Sequence, residues 1–66
     1  MDVDLLKRTI KYRGFTNEML AKELGMHRDT LQRRFREQSF RMDEVQKIRE
    51  ILSLSGEDVK NIFIKK

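Results

Sequence analysis

The 66-residue chain contains no cysteine, no proline and no tryptophan, and its single histidine is His27. Without thiols there is neither a disulfide framework nor a thiolate metal site, and one imidazole cannot assemble a zinc site of nitrogen and sulfur ligands. No metal and no cofactor is therefore expected. No apolar run approaches the ~20 residues that cross a bilayer. The start, Met1-Asp2-Val3-Asp4, lacks the basic leader and apolar segment of a secretory signal. These absences predict a soluble, cytoplasmic protein with no membrane partner.

So short a chain is expected to form one domain over residues 1–66, and a domain of this size buries only ~60% of the surface its unfolded chain exposes. Its core is thin, and an elaborate enzyme site is not expected. The sequence has no Gly-rich phosphate loop and no paired carboxylates on an apolar face. His27 and Asp29 cannot begin a catalytic triad, because residues two apart on a helix point ~200° apart.

What the chain has in excess is positive charge, unevenly spread. Fifteen Lys and Arg against eleven Asp and Glu give a net +4. Residues 1–13 carry four basic and two acidic groups, residues 14–25 one and two, residues 26–41 five and two, and residues 42–66 five and five. The excess thus sits in 26–41, with a secondary contribution from the first segment. A basic patch confined to part of a domain points to a polyanionic partner.

The apolar spacing reads as five short helices throughout. Residues 2–13 align Val3, Leu6 and Ile10, and Gly14 follows where a helix takes a left-handed terminator. Thr16 is placed to cap a second helix that buries Leu20, Ala21 and Leu24 before Gly25 stops it. A third helix runs from near His27 to about Arg36, with Leu31 and Phe35 one turn apart. Met42, Val45, Ile48 and Leu52 mark a fourth over 42–52, and Ser55 opens a short fifth containing Val59, Ile62 and Phe63. The three glycines, including Gly56, fall just outside these helices. Phe15 with Leu20, Met26 with Leu31, Phe40 with Val45 and Leu54 with Val59 have the five-residue spacing of hydrophobic staples, and Ser55 with Asp58 has the form of a capping box. The third staple makes Arg41 a helix cap, a role for which arginine is poorly suited.

On the third helix, with Arg28 at zero, Gln32 falls near about 40°, Arg36 near 80°, Asp29 near 100° and Arg33 near 140°, while Leu31 and Phe35 lie near 300° and 340°. The polar face is made of side chains that pair with base edges: Arg with guanine, Gln with adenine, Asp with the cytosine amino group.

The stretch Asn17 to Phe35 has a small residue, Ala21, where two helices would cross, a glycine, Gly25, at the turn, and Leu20, Leu24, Met26 and Leu31 facing one core. It resembles the helix-turn-helix of phage Cro and repressor proteins, the Xre-like family. One departure is Arg34, at a position where many members are apolar; here the apolar residue comes one later, at Phe35. The resemblance implies an all-α, lambda-repressor-like fold: a compact bundle of five short helices with its helix-turn-helix at about 16–36. It implies a sequence-specific regulator of transcription that binds double-stranded operator DNA, most simply a Cro-like repressor of a phage or mobile element, acting in a bacterial cell or phage-infected host.

By the same resemblance Arg28, Asp29, Gln32 and Arg33 read base edges, and Asn17, at the start of the second helix, contacts phosphate. The other side chains within reach of a passing backbone are His27, Arg34, Arg36, Arg41 and Lys11, with Lys7, Arg8 and Arg13 beside Lys11. Structural roles compete at several positions: helix start for His27, first-turn residue for Asn17, dipole-stabilising acid or partner of Arg33 for Asp29, surface ion pair for Arg34, solvated face for Lys11. The apolar tail Ile62-Phe63-Ile64 is more than a one-turn helix is expected to bury, which makes it the candidate homodimer contact. A different class of function, a protein-interaction module such as an antirepressor or antitoxin-like partner, would use that tail to bind a protein. A non-specific, nucleoid-type binder would share the charge without a preferred site.

Overall fold

The computed structural model describes residues 1–65, and every regular element among them is helical. The order is α1 (Val3–Tyr12), α2 (Asn17–Glu23), α3 (Arg28–Glu37), α4 (Met42–Leu52) and α5 (Gly56–Val59), the last running on into a π-helical turn (Lys60–Ile64).

Four of the five helices begin on a side chain that accepts from an unpaired N–H of the first turn. Asp2 accepts from the Leu5 amide at 2.9 Å, Thr16 from Met19 at 3.1 Å, and His27 Nδ1 from Asp29 at 3.0 Å. Ser55 and Asp58 form the expected reciprocal capping box, both bonds at 3.0 Å. Arg41 does precede α4, but a guanidinium has no acceptor. Only the other half of a box forms there, with Glu44 Oε1 accepting the Arg41 amide at 2.8 Å.

The first four helices end alike. A residue in the left-handed region follows the last turn, and the next amide bonds back to a carbonyl five residues earlier: Phe15 to Ile10, Met26 to Ala21, Ser39 to Arg34, Leu54 to Arg49. Gly14 (φ +82°) and Gly25 (φ +71°) take that position after α1 and α2, as their lack of a Cβ suits them to do. After α3 and α4 it falls to Gln38 (φ +52°) and Ser53 (φ +54°), which carry side chains. Gly56, expected outside a helix, is instead the first residue of α5. Phe15, Met26, Phe40 and Leu54, the residues that precede the caps, all pack on the core.

That core joins Leu6 and Ile10 of α1, Leu20, Ala21 and Leu24 around α2, Leu31 and Phe35 of α3, Ile48 and Leu52 of α4, with Leu54 and Ile62 from the last segment. Met42, expected inside as part of the α4 stripe, is 76% exposed because the buried stripe of α4 is Glu44, Ile48 and Leu52, and residues two apart on a helix point ~200° apart. The tail also differs from expectation. Ile62 is buried, and its carbonyl accepts the Asp2 amide at 2.7 Å, so it is a core residue rather than part of a dimer contact. Phe63 is half-buried, with its ring edge-on to Phe40 at 6.0 Å, and Ile64 is exposed. Successive residues of a helical turn point in different directions, so three adjacent apolar side chains do not share one face.

Candidate nucleic-acid interface

Helix α3 lies across the bundle with Leu31 and Phe35 inward and Arg28, Asp29, Gln32, Arg33 and Arg36 exposed. Phe35 is fixed from two sides, by the Phe40 ring at 5.9 Å and by Lys7 Nζ of α1, 5.3 Å from its ring centre. Lys7 is thereby engaged with the core edge. Among the described residues, Gln32, Arg33 and Arg36 have no side-chain hydrogen bond or ion pair within the protein, so this part of the face is presented to solvent.

The N-terminal end of α3 is more tightly arranged. His27 is the cap expected from its helix-start role; since Nδ1 accepts the Asp29 amide, the neutral ring carries its proton on Nε2. The Asp29 carboxylate sits 3.6 Å from the same imidazole and not against Arg33. Arg28 reaches back across the turn to Glu18 of α2 at 3.8 Å. All four groups are exposed, and the Arg28–Glu18 pair is screened and labile, so Arg28 is free to exchange its partner for an anion, while the His27 Nε2–H is free to donate to one. Asn17, half-buried, is the first residue of α2 beside the Thr16 cap.

Of the remaining cations, Lys11 and Arg36 are exposed on α1 and at the end of α3. Arg41 pairs with Asp43 at 3.3 Å. Arg13 lies 3.9 Å from Asp58 and stacks toward the Tyr12 ring. Arg34 forms the ion pair that was one of its two expected roles. Its Nε donates to Glu44 Oε1 at 3.0 Å and to Oε2 at 3.3 Å, and Nη2 donates to Oε2 at 2.9 Å. These hydrogen bonds push the Arg34 pKa further above its already high value.

Glu44 was not singled out by the sequence, yet it is the one charged residue that is buried among the described ones. The signal was present. Glu44, Ile48 and Leu52 recur at spacing four, which puts the carboxylate on the apolar stripe of α4, where it needs a cation.

A family model described as helix-turn-helix matches residues 6–59, from within α1 to the end of α5. The chain belongs to the Xre/Cro-like helix-turn-helix family. No curated protein and no solved structure matches the chain significantly. Membership makes the all-α bundle a DNA-binding domain of the regulator class, in a family that is typically non-enzymatic. In helix-turn-helix terms α2 and α3 are the paired helices, with Leu24 to His27 as the turn and α3 in the place of the recognition helix. No helix among the described residues is long and apolar enough to cross a membrane.

Proposed function

We propose that the chain is a sequence-specific repressor, Cro-like and of phage or mobile-element type, that acts by occupying an operator. The observation that carries this reading is the outward face of α3, where Gln32 and Arg33 stand unengaged by any protein group while Leu31 and Phe35 anchor the opposite side. Arg28, Gln32 and Arg33 read base edges in the major groove, and Asp29 accepts from a cytosine where one is in register. Asn17 and His27 hold phosphates flanking the groove, with Lys11, Arg36 and Arg41 on the backbone beyond. Arg34 is left out of this set because Glu44 already occupies it.

Two copies bind two half-sites. Support comes from one surface. A groove of about 350 Å³ between α4 and the last helix is lined by Phe40, Val45, Val59 and Phe63, with Met42 and Ile64 exposed at its rim. A hollow and a knob on one face suit a two-fold interface, in which the same patch meets itself. The dimer contact is thus proposed for Phe63, Ile64 and Met42, without Ile62. Light scattering on free protein and on the operator complex tests it; a single copy in both rejects it.

Selection of bound sequences from a random duplex pool at physiological salt tests the main reading. A palindromic or half-site consensus bound at least ~10³ more tightly than a scrambled duplex is the expected result. Weak binding governed by salt alone would indicate a non-specific binder, and no binding would turn the apolar groove into a site for a protein partner, as in an antirepressor.

A further inference from the structure

We infer that Glu44 is a positioning residue for DNA reading: through Arg34 it fixes the rotation of α3 about its axis, and with it the base pairs that Gln32 and Arg33 face. The inference rests on α3 being the recognition helix. Arg34 follows directly on Arg33, and its guanidinium is held by three hydrogen bonds to a carboxylate whose side chain is only 10% exposed. The same carboxylate accepts the Arg41 amide at 2.8 Å, which ties it to the first turn of α4. One group therefore joins the helix that reads to the loop and helix behind it.

The constraint is of a kind that the apolar contacts do not supply. Burial of Leu31 and Phe35 sets which side of α3 faces the core, but that force is non-directional and tolerates small rotations. A two-pronged guanidinium-carboxylate pair is directional and fixes the plane of the guanidinium as well as the distance. The magnitudes show why this matters. Side-chain tips lie about 5–6 Å from a helix axis, so a rotation of about 20° shifts them by about 2 Å. Hydrogen-bonded distances span only about 0.5 Å. A small turn of α3 therefore breaks a bidentate base contact while leaving Leu31 and Phe35 buried.

The test compares the parent with Glu44→Gln and with Arg34→Met/Glu44→Leu, each shown by its thermal transition to be folded at the assay temperature. The double variant replaces the ion pair with apolar side chains, a change that often preserves stability. Glu44→Gln keeps the shape and one acceptor for the Arg41 amide, and serves where the double variant does not fold. Each protein is taken through pool selection and then titrated on the parent's consensus and on a scrambled duplex. The double variant, which leaves the net charge unchanged, is expected to bind the scrambled duplex within about twofold of the parent. Glu44→Gln is expected to bind it at least as tightly as the parent because it frees Arg34 for phosphate, while the preference of both for the consensus falls about tenfold. Base preference should relax or move at the positions next to Gln32 and Arg33. An unchanged consensus and preference in folded variants would overturn the role of Glu44 and leave recognition by α3 standing. A parent without any preference would instead overturn recognition by α3, and this inference with it.

Discussion

The backbone amide of Asp2 donates to the carbonyl of Ile62 at 2.7 Å, while the Asp2 side chain caps α1 through Leu5. The two ends of the chain are thus fastened at one residue, and the last turn is part of what holds α1. Ile62→Ala should cost about 2–5 kcal/mol, as for other fully buried aliphatic side chains. Amide exchange at Leu5 and Leu6 should rise with it. Ile64→Lys, at an exposed position, should leave the urea midpoint nearly unchanged and weaken only self-association. Equal destabilisation by both would contradict the division of the tail into a buried and a free residue.

Gln38 and Ser53 occupy left-handed positions with side chains attached, at φ +52° and +54°. An L-residue there is disfavoured by roughly 1–2 kcal/mol, and glycine gives back part of the gain through its freer unfolded state. Gln38→Gly and Ser53→Gly should each stabilise the fold by about 0.5–1 kcal/mol, seen as a higher urea midpoint at unchanged slope. Gly25→Ala should do the reverse by about 1–2 kcal/mol, through its φ alone, because no atom lies within 4 Å of where the added Cβ would stand.

The Ser55 amide, its hydroxyl and the Arg13 guanidinium hold the Asp58 carboxyl below the usual carboxylate range. A depressed pKa means that the folded state favours the ionised form. Its contribution is complete above about pH 4, the ordinary carboxylate range, and is lost as the pH falls through the lower folded value. Chemical denaturation at pH 7 and pH 3 should show a smaller acid loss for Asp58→Asn than for the parent. An identical loss would mean that the capping box contributes nothing pH-dependent.

On DNA, Arg33→Ala should cost about 1–3 kcal/mol on the selected site and relax preference at one base pair. Lys11→Ala should weaken all sequences alike and reduce the salt slope by about one. Equal effects of the two on specific and scrambled duplexes would remove the distinction between base reader and phosphate contact.

The sequence made the fold legible wherever a local rule was at work. Apolar spacing placed the helices, Thr16 and Ser55 with Asp58 marked starts, and Gly14 and Gly25 marked ends. The ends at Gln38 and Ser53 carried no such mark, because neither residue advertises a left-handed conformation. The exposed face of α3 followed from periodicity, since Leu31 and Phe35 fix its phase. The partner of Arg34 did not follow, because Glu44 stands ten residues away on a different helix and only the packing of α3 on α4 brings them together. The tail failed for a related reason: three adjacent apolar residues do not reveal which of them a helix turns inward.

The repeated corner has a kinetic consequence. Each of the first four helices hands over to the next through three or four residues, by a left-handed residue, an apolar anchor and a cap. No long loop must close before native contacts form, and a chain without proline has no slow prolyl isomerisation to wait for. Refolding should therefore be a single exponential on the microsecond to millisecond scale, so that a molecule unfolded in the cell regains its shape far faster than a protease or an aggregate can intercept it.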